Sequence, residues 1–246
     1  MSLKKILFVF AHPDDESFTA GATIAKYAAG GDTEISLLCA TRGQAGKCGE
    51  PPICSREELP MVREQELREA AAILGIHNVD VLDYEDKHLA DVPLPELAGK
   101  IEAAIRQYQP QVVVTFAPHG ISGHPDHHAI SVATDHAVTH MKSDNPVWKL
   151  YHVTLPSNAP FVNRNVHTDP PESITTEINE PTYVPVVAKA LLAHRTQNMS
   201  VGRVFSGIFE GDYSHVRQVN YFILVWHRIS DYHLSEKETD LFAGIR

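Results

Sequence analysis

Hydrophobic positions along this chain fall into short continuous blocks separated by stretches of helical period. Lys4 to Ala11 contains the apolar run Ile6-Leu7-Phe8-Val9-Phe10-Ala11 with no polar alternation, the pattern of a strand buried on both faces of a parallel sheet. Ser17 to Ala29 has helical composition and is closed by Gly30-Gly31, and Glu34 to Ala40 is a second apolar run. A loop rich in glycine and proline, Thr41 to Arg56, precedes a helix over Glu57 to Leu74, with Leu67, Ala70, Ala71 and Leu74 on one stripe and Gly75 at its end. Val79 to Leu82 reads as a strand, Pro95 to Tyr108 as a helix, Gln111 to Phe116 as a buried strand, and Pro125 to Met141 as a helix opened by proline. Strand and helix thus alternate four times in the first 141 residues, which predicts a right-handed, doubly wound, mostly parallel α/β sheet. The second half is less regular. Trp148 to Leu155 reads as a strand, Pro156 to Pro171 as a loop, Ser173 to Ile178 as an edge strand, Pro185 to Arg195 as a helix and Val219 to Trp226 as a last strand, before a polar tail after Arg228. With no repeat or linker, the expectation is one domain over residues 1–246: a Rossmann-like core in 1–141 and C-terminal additions in 142–246.

Composition changes this picture little and charge narrows it. At 43% hydrophobic and 21% charged residues, the chain is neither disordered, collagen-like nor a coiled coil. No apolar run reaches the roughly 18 residues of a membrane span, and Ile6 to Ala11 is too short for a secretory leader. A net charge of −10 (21 − 31) disfavours nucleic acid and anionic membrane as partners, because both need a cationic face. Three cysteines cannot frame a chain of 246 residues with disulfides, which points to a cytoplasmic setting. Fifteen histidines bring metal chemistry into view.

The candidate chemistry sits at two strand ends. The first strand runs into His12-Pro13-Asp14-Asp15-Glu16, and the fourth, after a short loop, into Gly123-His124-Pro125-Asp126-His127-His128. In a sheet of order 3-2-1-4 these strands are neighbours whose following loops diverge to opposite faces, leaving a crevice where ligands bind. Clusters 112 positions apart (124 − 12) therefore meet. A dinucleotide fits poorly, since the first loop lacks G-x-G-x-x-G and carries three acids. A metal fits better. Imidazole and carboxylate suit zinc, and three protein ligands plus a water make an open catalytic site whose water has a pKa of about 7. Amide hydrolysis needs a nucleophile, a stabiliser for the tetrahedral oxyanion and an acid for the leaving amine. Adjacent Asp14 and Asp15 can divide the tasks of base and ligand, but residue type alone does not say which does which.

These motifs resemble the paired signatures of the LmbE/PIG-L family of zinc-dependent N-deacetylases, which remove acetyl from N-acetylglucosamine conjugates. Thr41-Arg42-Gly43-Gln44-Ala45-Gly46, Val62 to Leu67, and Ala193-His194-Arg195-Thr196-Gln197 resemble further family segments, so the likeness spans most of residues 4–200. The resemblance implies His12, Asp15 and His127 as zinc ligands, Asp14 as general base, and His124 as the group that stabilises the oxyanion and protonates the amine. It implies Asp126 as a carboxylate orienting one of the histidines. Arg63 and His194 are expected near the substrate. The implied partner is a small amino-sugar conjugate, and relatives assemble as trimers or hexamers, so a homo-oligomer is expected. Two histidines and one carboxylate suit iron(II) as well as zinc. Gln44 stands where many relatives carry an acid, which points to a difference in substrate, and the Lys47 to Ser55 loop is expected to border the crevice.

Plainer readings accompany these. Glu16 reads as an acid in a helix's first turn, or as an outer support of the site. Arg63 reads equally as a solvent-facing helix residue, and His119 as a solvated loop histidine. Cys48 and Cys54 read as free thiols and Cys39 as a small buried hydrophobe, with Trp148 and Trp226 as core aromatics. Competing functions are another metal-dependent amide or phosphoester hydrolase and a non-catalytic sugar-binding relative.

Overall fold

The computed structural model describes residues 3–142, 144–159 and 166–245. Part of the expected 156–171 loop, residues 160–165, lies outside that range. Among the described residues, seven strands form one sheet: β1 (Lys4–Phe10), β2 (Thr33–Thr41), β3 (Asn78–Tyr84), β4 (Val112–Phe116), β5 (Lys149–Thr154), β6 (Thr176–Asn179) and β7 (Val219–His227). Their order is β3-β2-β1-β4-β5-β7-β6. The first five pair in parallel, and β7 and β6 add to β5 as antiparallel strands. The expected order of the first four strands and the mostly parallel α/β class are both found, and Thr176–Asn179 is the edge strand.

The helices are α1 (Asp15–Thr19), α2 (Gly21–Gly30), α3 (Leu59–Leu74), α4 (Leu94–Tyr108), α5 (Pro125–His140), α6 (Val184–Ala193) and α7 (Asn198–Val204). α4 packs on α5, while α2, α3 and α6 pack together, so the sheet is covered on both faces. That covering is why β1 and β4 are dominated by apolar residues: Leu7, Phe8, Val9, Phe10, Val113, Val114 and Phe116 are all fully buried. The single expected helix over Ser17–Ala29 is two helices, broken at Ala20 (φ −128°, ψ 8°). The short first one carries Asp15 and Glu16 and turns them inward.

The tail after Arg228 is less exposed than its polar composition suggests. Leu241 and Phe242 are buried, and Glu238 reaches into the sheet. The fully buried Lys149 on β5 donates to Glu238 Oε1 and to the hydroxyls of Tyr151 and Tyr232, the latter two each at 2.9 Å. Tyr151 and Thr176 donate to Glu238 Oε2 at 2.5 and 2.7 Å. A buried ammonium needs such a full set of acceptors, and the chain's last segment supplies the charge.

The order of strands reverses between β1 and β4, and the segments leaving their carboxyl ends carry both sequence clusters. No helix among the described residues is long and apolar enough to cross a membrane.

Candidate active site and metal centre

A cavity of about 320 Å³ opens at this switch point. His12, Asp14, Asp15, Arg63, Asp86, His124 and His127 line it, with Phe18, Ile121, Val166, Val204, Arg203 and Arg217 among the remaining walls. The two clusters meet there as the topology requires. His127, not His128, turns inward: His127 is buried, whereas His128 is exposed and its Nδ1 donates to Pro118 O at 2.8 Å.

Donor atoms of three residues converge. Nδ1 of His12 lies 3.1 Å from Nε2 of His127 and 3.7 Å from Asp15 Oδ2, and Nε2 of His127 lies 3.3 Å from Asp15 Oδ1. Ligands at 2.0–2.1 Å around a tetrahedral ion stand about 3.3 Å apart, close to the separations of the two ring nitrogens and of His127 Nε2 from Asp15 Oδ1. The outer contacts leave His12 Nδ1, His127 Nε2 and Asp15 Oδ1 free. His127 donates from Nδ1 to Gly120 O at 2.9 Å, which leaves Nε2 with its lone pair. His12 donates from Nε2 to Asp126 Oδ2 at 3.2 Å and to Asp86 Oδ1 at 3.1 Å, which leaves Nδ1. Asp15 Oδ2 accepts from the backbone N–H of Ala11 and His12 at 3.2 and 2.8 Å. Such outer partners fix tautomer and ring orientation in metal sites. Gly120, at φ +64°, permits the close turn: a Cβ there would lie 2.5 Å from that of His127.

A second grouping shares His12. Its Nε2 side faces Asp86, Asp126 and His124, and the ligand atoms of these four residues lie within 4.8 Å of one another, as do those of His12, His124 and His127. On that side Asp126 is fully buried, absent from the cavity wall, and already accepts from the N–H groups of Lys87 at 2.6 Å and Leu89 at 3.2 Å. Asp86 accepts from Ala45 N–H at 3.0 Å.

Electrostatics follows from this packing. Burial works to lower the pKa of His12, but hydrogen bonds to Asp126 and Asp86 and the charge of Asp15 outweigh it and push it up to about 10. Burial would raise Asp15, but His127 and His12 hold its carboxyl well below the usual range. His127 is raised, the charge of Asp15 overcoming burial. Without a metal, these carboxylates favour the cationic form of the two imidazoles, the charge pattern that a divalent cation would replace. Asp14 is pushed up to about 6, chiefly by burial, with Arg63 opposing. His124 is lowered by burial and by the neighbouring His12 and His127.

The remaining residues surround this centre. Asp14 Oδ2 accepts from Arg63 Nη2 at 3.2 Å, and Arg63 also donates to Pro13 O and, at 2.8 Å, to Gly43 O. Gly43, at φ +62°, makes room for the guanidinium: a Cβ there would clash with Arg63 Nη1. Arg63 is therefore a buried wall of the cavity and not a solvent-facing residue. His124 caps α5, its Nδ1 accepting from Asp126 N–H at 3.2 Å, so the ring proton sits at Nε2. His194 is buried, bonded to Glu16 and absent from the cavity wall. Gln44 also leaves the wall, its amide donating to Tyr84 O at 3.1 Å. Of the Lys47–Ser55 loop none lines the cavity, although the adjoining Gly46 does. His119 is not simply solvated: it bonds Asp169 at 3.0 Å. Cys39 is buried, and Cys39, Cys48 and Cys54 are free thiols. Asp86 was missed in the sequence because it sits in a run, Tyr84-Glu85-Asp86-Lys87, that reads as a solvated turn. Its position after the carboxyl end of β3 is the signal that could have found it.

The sequence profile of the GlcNAc-PI de-N-acetylase (PIG-L) family matches residues 7–138, a span that includes both clusters and Asp86. The chain belongs to the PIG-L family. Among its relatives is the probable N-acetyl-alpha-D-glucosaminyl L-malate deacetylase 2 of Bacillus anthracis, 34% identical over 195 residues, covering 79% of this chain and 81% of the relative. Another is the 1D-myo-inositol 2-acetamido-2-deoxy-alpha-D-glucopyranoside deacetylase of Thermobifida fusca, 30% identical over 99% of this chain and 100% of its own length. The N,N'-diacetylchitobiose deacetylase of Pyrococcus horikoshii shares the fold, with a TM-score of 0.67 at 23% identity over 90% of this chain and 84% of that one. These three proteins are deacetylases by name, hydrolases acting on amide bonds.

Proposed function

We propose that the chain is a zinc-dependent hydrolase that removes the N-acetyl group from an N-acetylglucosamine-type conjugate. The observation that carries this reading is the triangle of His12 Nδ1, Asp15 and His127 Nε2 at the cavity wall, flanked by Asp14 and His124. His12 Nδ1, His127 Nε2 and Asp15 Oδ1 would hold the ion, because the other ring nitrogens and Asp15 Oδ2 are engaged elsewhere and all three residues line the cavity. Bound there, zinc supplies Lewis-acid activation of water and of the amide carbonyl. Nitrogen and oxygen donors suit it, and hydrolysis asks for no redox change.

The chain's own groups do the rest. Arg63 holds Asp14 through Oδ2, so Oδ1 is the atom that takes the proton of the attacking water. His124 keeps its proton at Nε2 because Nδ1 accepts from Asp126 N–H. That N–H donates to the oxygen on which charge develops, and the proton that Asp14 takes from the water then passes to the leaving nitrogen. Asp126 and Asp86 fix the His12 ring. Apolar walls from Phe18, Ile121, Val166 and Val204 suit one face of a sugar ring, with Arg203 and Arg217 for polar substituents. Three free thiols fit a reducing, cytoplasmic setting.

The test is acetate release from a panel of N-acetylglucosamine conjugates, with and without chelator, for the parent and Asp14→Asn. The variant should keep its metal and lose roughly 100- to 10,000-fold in turnover, the range of a general base. Full turnover in that variant removes Asp14 from the mechanism, and no acetate from any conjugate removes the deacetylase reading.

A further inference from the structure

Two buried side chains behind the cavity have no part in the mechanism above. Glu16 and His194 are each 1% exposed, and neither lines the cavity. Both are nevertheless tied to Asp14. Asp14 adopts φ 115° and ψ −26°, a left-handed conformation for a residue that is not glycine. Such a conformation persists only where its surroundings over-determine it. Here three constraints do so. Asp14 N–H donates to Glu16 Oε2 at 3.1 Å. Asp14 C=O accepts from the N–H groups of Ser17 and Phe18, both at 3.0 Å. Arg63 donates to Pro13 O and to the Asp14 carboxylate.

The first constraint is only as firm as the Glu16 side chain, which must fold back two residues to make it. Its other oxygen supplies the firmness: Oε1 accepts from His194 Nε2 at 2.8 Å and from Ser17 Oγ at 2.5 Å. His194 arrives from 178 positions away, at the end of α6. Its Nδ1 has no partner among the described residues, so Glu16 is the one polar group its ring engages. The segment that follows is itself anchored, with Thr196 bonded to Glu66 and Gln197 to Lys47 O. The Ala193–Gln197 motif thus delivers a fixed donor to the back of the β1–α1 turn.

We infer that Glu16 and His194 are positioning residues, a brace that sets the backbone of Asp14 and so aims its carboxylate into the cavity without touching substrate. The inference rests on the role given to Asp14 above. A plain ion pair stapling α6 to α1 would place the same two side chains together, but it would not couple them to Asp14.

The coupling is measurable. In folded, metal-loaded protein, His194→Ala should lower kcat by about 100-fold, the order of loss that a small misplacement of a reacting group causes. KM and metal content should change less than about twofold, because no uniform binding is removed. His194→Gln, whose amide can still donate to Glu16, should recover most of the rate. On an Asp14→Asn background, His194→Ala should cost less than about twofold, since residues acting as a unit are non-additive. Exchange of the Asp14 amide hydrogen, followed by NMR in metal-free protein, should be faster in His194→Ala and near the parent rate in His194→Gln. Equal fractional losses on both backgrounds, or an unchanged amide exchange rate, overturn the brace. Should His194→Ala not fold, Glu16→Gln takes its place, since it retains an acceptor for Asp14 N–H but loses the charge facing His194. Its kcat on both backgrounds and its Asp14 amide exchange then support or overturn the brace in the same way. If Asp14→Asn keeps full turnover, the functional reading fails and amide exchange alone decides the brace.

Discussion

Replacing Asp126 by Asn probes how the metal triangle is held, and its effect can be worked from the hydrogen bonds. Asp126 is fully buried and uses both oxygens as acceptors: Oδ2 from His12 Nε2 at 3.2 Å and Lys87 N at 2.6 Å, Oδ1 from Leu89 N at 3.2 Å. An amide keeps one acceptor oxygen. Turned toward His12 and Lys87, it sets its NH2 against the Leu89 N–H and leaves a buried donor unsatisfied, a cost of about 1–3 kcal/mol in folding. His12 keeps its bond to Asp86 at 3.1 Å, so the ring is loosened and not released. The lost charge also makes Nδ1 a poorer donor. Removing such an outer carboxylate costs about 10- to 100-fold in metal affinity, or about 1.4–2.8 kcal/mol. The assay is competition for zinc against a fluorescent chelator, on metal-free protein shown to be folded by circular dichroism, with urea unfolding run alongside. The expected result is a Kd raised by about 10- to 100-fold together with a stability loss of about 1–3 kcal/mol. A folded Asp126→Asn protein that binds zinc as tightly as the parent would refute the claim that Asp126 orients His12 for coordination.

Other consequences are checked more simply. His124→Gln should retain zinc and lose roughly 100- to 1,000-fold in kcat, the usual cost of one oxyanion donor; steady-state kinetics at saturating substrate decide it, and an unchanged kcat takes His124 out of the reaction. Lys149→Met leaves Glu238 buried without its cation and should cost about 3–5 kcal/mol in urea unfolding while leaving kcat per folded molecule unchanged. A loss below about 1 kcal/mol would show that Lys149 does not hold the C-terminal segment to the sheet.

The parallel half of the fold was legible because its strands are buried on both faces. The apolar runs Ile6–Ala11 and Val112–Phe116, the second broken only by Thr115, are short enough for strands, and the helical stretches between them call for parallel crossovers. The two His-Asp clusters were legible as a site for the same reason, since topology alone places the ends of β1 and β4 together. Contacts that depend on long-range burial of polar groups were not legible. Asp86 looks like any charged turn residue until His12 Nε2 is found 3.1 Å away. Glu238 lies in a polar tail and His194 at a helix end, and only the folded chain brings the first to Lys149 and the second to Glu16. The break at Ala20 does have a local signal, Gly21 between Thr19 and Thr23, which the alanine content of the wider stretch obscures, and it gives Asp15 and Glu16 a short helix of their own.

The claim on which everything turns is that His12 coordinates through Nδ1, with Asp15 and His127, while Nε2 faces Asp126 and Asp86. Anomalous diffraction from crystals of the zinc-loaded protein, collected on both sides of the zinc edge, tests it directly. The expected result is one ion per chain, about 2.0–2.2 Å from His12 Nδ1, an Asp15 oxygen and His127 Nε2, open to the cavity on its fourth side. An ion found instead on the Nε2 side, held by Asp86, His124 and Asp126, would contradict it.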